Sequence, residues 1–254
     1  MSAGFEELDW RPTPLGEISL RRRLEPNLQI DVYEAKLGDE FLMSSLFTVA
    51  EIALADNALA GLSGEDLDVV VGGLGLGYTA DAVLRDPRVR SLHVIEALGE
   101  VIGWHERGLL PLSEGLTSDR RCSLVEGDFF AMVANGSSFG PSTRDRHDAI
   151  LVDIDHTPRH LLHPSHAPFY DPEGQRRIAD RLEPGGVFAL WSDDPPDEDY
   201  LSVVEQVFAT CEAHVITFPN PLTGGESANT VYVATVSPHV LRGGRRRSSR
   251  RTRP

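Results

Sequence analysis

Leu67-Asp68-Val69-Val70-Val71-Gly72-Gly73-Leu74-Gly75-Leu76-Gly77 is the stretch that decides the fold of this chain. An apolar run of strand length enters a glycine-rich turn, and helix formers follow from Tyr78. Nineteen residues past Gly77 stands Glu96, at the end of a second apolar run, Leu92-His93-Val94-Ile95. A strand, a tight glycine turn and a carboxylate at the tip of the next strand describe a nucleoside site. The backbone at Gly73, Gly75 and Gly77 can approach a ligand closely, and the carboxylate can take two ribose hydroxyls. The opening helix would turn its free N–H groups toward the same ligand. The turn departs from the dinucleotide fingerprint G-x-G-x-x-G, because Tyr78 and Thr79 stand where a third spaced glycine belongs.

The downstream sequence repeats the pattern. Leu124-Val125-Glu126-Gly127-Asp128-Phe129 reads as a third strand ending in acid, and 147–155 as a fourth ending in Asp153 and Asp155. Open α/β sheets bind ligands at the carboxyl ends of their strands, where these acids would lie. The expected strands are 68–72, 91–96, 122–126, 148–154 and 186–191, and the expected helices 78–85, 98–109, 128–134, 172–183 and 198–210. Segments 213–218 and 229–236 follow with no helix between them, which predicts an antiparallel hairpin at one sheet edge. The fold class is therefore α/β, a seven-stranded, mostly parallel, Rossmann-like sheet.

Ahead of it, 17–21 and 28–35 alternate polar and apolar residues around Glu25-Pro26-Asn27 and predict a small N-terminal β unit. Residues 46–62 have helical spacing. Pro12 and Pro14 argue for an irregular start. The expected organisation is an irregular segment 1–14, a β unit with its linking helix 15–62, a nucleoside-binding catalytic domain 63–238, and a disordered tail 239–254.

The chain has 254 residues and a formal charge of −15. Residues 242–254 hold seven arginines and no acid, so removing those seven charges leaves −22 on residues 1–241. A body this acidic suits cationic substrates and repels nucleic acid, for which only the arginine tail is suited. No apolar run has the length of a membrane span. Cys122 and Cys211 form neither a metal spacing nor a disulfide framework, so a cytoplasmic location is expected.

The layout over roughly 16–236 resembles the adenosylmethionine-dependent transferase fold and, within it, spermidine synthase and the other polyamine aminopropyltransferases. The resemblance rests on Gly73-x-Gly75-x-Gly77, Val94-Ile95-Glu96, Gly127-Asp128, the strand 148–153, Phe169-Tyr170 before a helix, and Leu182-Glu-Pro-Gly-Gly-Val. It implies adenosylmethionine or its decarboxylated form as co-substrate, a small cationic amine as acceptor, no metal, and self-association as a homodimer. By the resemblance, Glu96 binds the ribose, Asp128 and Phe129 flank the adenine, and Asp153, with Asp155 and His156 beside it, does the chemistry as base. A carboxylate there would bind the ammonium and remove its proton.

The acceptor side departs from the family pattern. Leu76 stands where the family has an acid, Met43 and Ser44 replace an aromatic and an amide or histidine, and His156 replaces a second acid. Methyl transfer on the same scaffold, or nucleoside binding without catalysis, are therefore the alternatives to aminopropyl transfer.

Other patterns carry less. The prolines among His156, His160, His163 and His166 make that run a loop shaped for substrate more readily than a zinc site. Gly136-Ser137-Ser138-Phe139-Gly140 follows a helix and lacks the strand a hydrolase elbow needs. The acidic segment 192–200 reads as a cation-attracting rim or as a solvated loop with Asp197 capping the next helix. Trp104 and Trp191 read as core residues. The role of the loop 220–229 is not legible.

Overall fold

The computed structural model describes residues 4–140 and 145–238. Two sheets organise the chain. The first is antiparallel, in the order β1-β2-β3-β4, from β1 (Phe5–Thr13), β2 (Gly16–Glu25), β3 (Ile30–Leu37) and β4 (Glu40–Ser44). The chain then forms α1 (Val49–Ala60) and enters the second sheet through β5 (Leu67–Gly72). That sheet gains α2 (Tyr78–Arg85), β6 (Val89–Glu96), α3 (Gly99–Glu106), α4 (Ser113–Ser118), β7 (Cys122–Glu126), α5 (Phe129–Asn135) and β8 (His147–Val152). After a 3₁₀ segment (Pro164–Tyr170) come α6 (Pro172–Ala179), β9 (Leu182–Ser192), α7 (Glu198–Val204), β10 (Thr210–Asn220) and β11 (Gly225–Thr235). The strand order is β10-β11-β9-β8-β5-β6-β7, with β5 through β9 parallel and β11 antiparallel to both β9 and β10.

All six residues of β5 are buried. A central parallel strand is covered on both faces, which is why its sequence is a continuous apolar run and not an alternation. One apolar cluster joins α1, α2, α3 and one sheet face through Leu54, Val71, Val83 and Trp104. The other joins α5, α6 and the opposite face through Phe129, Ile150, Phe169 and Phe188.

The segment expected to be irregular is instead the strand β1, paired with β2. Pro12 is tolerated because β1 is the edge of its sheet, where a missing N–H costs no ladder bond. Buried Trp104 donates its indole N–H to Asp9 at 2.9 Å and ties this strand to α3. β4 is a strand the sequence pattern did not announce. The helices expected at 172–183 and 198–210 stop at Ala179 and Val204, since β9 and β10 begin earlier than their apolar runs suggest. Glu183–Gly186 forms a bulge in β9. The register passes from His147↔Leu182 to Ala149↔Val187, and Gly185 adopts φ 81°. The helix expected over 98–109 is α3, which ends at Glu106, and a short further helix, α4, follows it beyond that range. The terminal hairpin is present at the sheet edge. The arginine tail lies outside the described residues.

Candidate active site

The glycine turn and the tip of β8 are built as one unit. Gly73 donates its N–H to Ile95 O at 2.8 Å, and Asp153 donates its N–H to Gly72 O at 2.8 Å. Gly73 has φ +96°, and a Cβ there would lie 2.0 Å from the carbonyl oxygen of Asp153. Only glycine lets the two segments approach this closely. Gly77, at φ +94°, precedes α2, and a Cβ on it would meet Leu116 at 2.6 Å. Beneath the turn, buried His105 hydrogen-bonds Gly75 O through Nε2 at 2.9 Å. Burial pushes the His105 pKa down, so the ring is neutral and Nε2–H donates to that carbonyl.

Beside this unit opens a cavity of about 470 Å³. Gly75, Leu76, Gly77 and Tyr78 form one side and Asp153, Ile154 and His156 another. Met43 and Ser44 of β4, Glu51 of α1 and Trp191 and Asp193 at the end of β9 also line it. The hairpin of β10 and β11 closes it with Phe218, Ser227, Ala228 and Asn229.

Asp153 accepts from the Thr79 hydroxyl at 2.7 Å. It is half-buried, and desolvation raises its pKa to about 6, against the opposing effect of Thr79. Glu51 is raised further, to about 8, first by desolvation and then by the charges of Asp153 and Asp193. Two interacting acids titrate as a pair, so near neutral pH this pair holds about one proton between them. Asp193 accepts from the Asn229 amide at 2.6 Å, and its N–H donates to His156 O at 2.7 Å. His156 Nε2 lies 3.1 Å from Glu40 Oε1, which links the start of β4 to the loop after β8.

Glu96 sits against the turn from below. Its carboxylate accepts from Leu74 N at 3.0 Å and Leu98 N at 2.9 Å, while burial pushes its pKa up. Three positions differ from the sequence expectation. Asp155 does not face the cavity: its buried carboxylate accepts from Leu162 N at 2.7 Å and the Tyr170 hydroxyl at 2.9 Å, and contacts His166 Nδ1 at 2.8 Å. It holds the loop after β8 in shape. Phe129 is a core residue, stacked on Phe139 with ring centroids 5.4 Å apart and lying directly under Gly72. Asp128 caps α5 through Ala131 N at 3.0 Å and borders a separate cavity of about 120 Å³.

Sequence reasoning missed Glu51. The signal was there: an acid set among Val49, Ala50, Ile52 and Leu54 at the start of an apolar helix. Of the acidic segment 192–200, Asp193 faces the cavity, whereas Asp197 caps α7 through Asp199 N and Tyr200 N. Trp104 is core, but Trp191 forms cavity wall. Among the described residues, no group of three or more His, Cys, Asp or Glu is arranged to hold a metal ion, and no helix is long and apolar enough to cross a membrane.

A seven-stranded sheet of this order, preceded by a small antiparallel sheet and with its cavity at the strand tips, is the fold of solved spermidine synthase structures. No protein-family model matches the sequence. Solved structures do. Spermidine synthase from Thermotoga maritima aligns with a TM-score of 0.70 at 17% identity, over 92% of this chain and 74% of that one. A spermidine synthase in complex with the transition-state analogue AdoDATO aligns with a TM-score of 0.68 at 16% identity, over 92% and 73%. A probable spermidine synthase from Corynebacterium glutamicum ATCC 13032 aligns with a TM-score of 0.60 at 17% identity, over 92% and 80%. At such identities the likeness establishes the fold.

Proposed function

We propose that this protein transfers an alkyl group, aminopropyl in the first reading, from an adenosylmethionine-type sulfonium to an amine, with Asp153 as base. The observation that carries the reading is the position of Asp153. A half-buried carboxylate at the tip of β8 shares one cavity with the glycine turn, and its pKa is raised toward neutrality. The donor's nucleoside fits the glycine turn. Gly75 and Gly77 keep that wall of the cavity free of side chains, so a ligand can approach the backbone beside Asp153. Glu96 holds the turn in place through Leu74 N. Likeness to spermidine synthase structures supports the same reading.

The chemistry balances without a metal. The acceptor enters as an ammonium and gives one proton to ionised Asp153. The freed nitrogen lone pair attacks the carbon next to the sulfonium. The C–N bond forms as the C–S bond breaks, and the bond pair leaves on sulfur as a neutral thioether. The product amine carries the positive charge that sulfur loses. Placement of the two reactants and charge complementarity supply most of the acceleration.

Methyl transfer is the second reading, favoured by Leu74 and Leu76, which give the turn side of the cavity an apolar surface where a donor ammonium would need an acid. Calorimetric titration with adenosylmethionine and with its decarboxylated form decides between them. Tenfold preference for the decarboxylated donor, about 1.4 kcal/mol, supports aminopropyl transfer. The reverse preference supports methyl transfer, and binding of neither removes the transferase reading.

A further inference from the structure

Two kinds of side chain line the cavity. Its acids lie together: Asp153 and Asp193 are both close enough to Glu51 for their charges to raise it. Much of the remaining lining is apolar, with Phe41, Phe47, Ile154, Leu162, Trp191 and Phe218. Phe47 and Phe218 face each other across β10 and the approach to α1 at 5.9 Å between ring centroids. Among the described lining residues there is no Arg or Lys, and no acid besides Glu51, Asp153 and Asp193. We infer that the acceptor is an amine with a single cationic head and an apolar, ring-sized body, its head held between Glu51 and Asp153 and its body against Phe47, Trp191 and Phe218. The inference rests on the transferase reading and narrows its acceptor.

A linear diamine uses this lining poorly. Its two ammonium groups would crowd the one cluster of acids, and its short chain would leave most of the aromatic surface uncovered. An arylalkyl amine exchanges water for apolar contact along the same wall. Glu51 adds a proton-linked signature. Near pH 7 the Glu51–Asp153 pair holds about one proton, and an arriving ammonium favours the doubly ionised pair, so binding expels that proton.

The test is calorimetric titration at pH 7 of the full-length protein saturated with 5′-methylthioadenosine, an unreactive nucleoside thioether. The amines are 2-phenylethylamine and 1,4-diaminobutane, each in two buffers of different ionisation enthalpy. The expected result is at least tenfold tighter binding of 2-phenylethylamine with release of about one proton. Glu51→Gln should weaken that amine roughly tenfold and abolish the proton release, leaving nucleoside affinity within about twofold. Phe218→Ala should weaken 2-phenylethylamine more than 1,4-diaminobutane. Preference for the diamine, equal affinity, no binding of either amine, or proton release that persists in Glu51→Gln would overturn the inference. Failure of 5′-methylthioadenosine itself to bind would instead overturn the transferase reading beneath it.

Discussion

Glu96 and Asp153 are both carboxylates at the tips of the two parallel strands that flank β5, and both are pushed up by burial, yet their surroundings give them different work. Glu96 closes β6 and spends its oxygens on the N–H groups of Leu74 and Leu98. It holds the glycine turn in place. Asp153 follows β8 and receives a single hydroxyl, from Thr79, while Glu51 lies close enough to titrate with it. Satisfied by fixed donors, a carboxylate is an anchor. Short of donors and facing a second acid, it becomes a proton acceptor tuned toward neutral pH. The position of an acid on the sheet therefore says less about its role than the number of donors aimed at it.

The largest expected effect is on turnover. Asp153→Asn removes the base and should lower kcat about 10³-fold, equivalent to about 4 kcal/mol, with donor affinity within about twofold by calorimetry. Undiminished turnover would make Asp153 another anchor and dissolve the contrast. Next is the stability cost of the acid pair. Both folded-state pKa values lie above those of the unfolded chain. Their contribution is therefore fully present below about pH 4 and is lost as pH rises through about 6 and then about 8. Glu51→Gln should gain about 2–4 kcal/mol over wild type at pH 9 and little at pH 4, read by denaturant unfolding. A difference independent of pH would show that Glu51 is not desolvated as described.

Glu96→Ala should weaken nucleoside binding by about 1.5–3 kcal/mol, since the turn loses its anchor at Leu74 N. Unchanged affinity would remove Glu96 from the donor site. The smallest effect sharpens the contrast from the other side. Tyr170→Phe leaves Asp155 with one donor fewer and should cost about 1 kcal/mol of stability without altering kcat/KM. A kinetic effect larger than about twofold would return Asp155 to the chemistry.

The sequence made the main sheet legible because β5 carries two physical signals at once, a two-sided apolar run and a turn that only glycine can make. Glu96 and Asp153 followed from their places at the ends of such runs. The acceptor side was obscure for a reason of a different kind. Glu51, Asp193 and Phe218 come from α1, β9 and β10, which meet only through tertiary packing, and no spacing along the chain links them. Asp155 misled because two acids at one strand tip look alike in sequence, whereas Leu162, His166 and Tyr170 surround only one of them. β1 was missed because Pro12 breaks a central strand but not an edge strand.

The claim that Asp153 is the base is tested most directly by the pH dependence of kcat/KM for alkyl transfer in wild type and Asp153→Asn, followed by release of the nucleoside thioether. The account predicts that the wild-type rate rises through about pH 6 to a plateau, as Asp153 ionises, and that the variant is slower by orders of magnitude with this rise absent. A variant that keeps both the wild-type rate and the rise near pH 6 would contradict it.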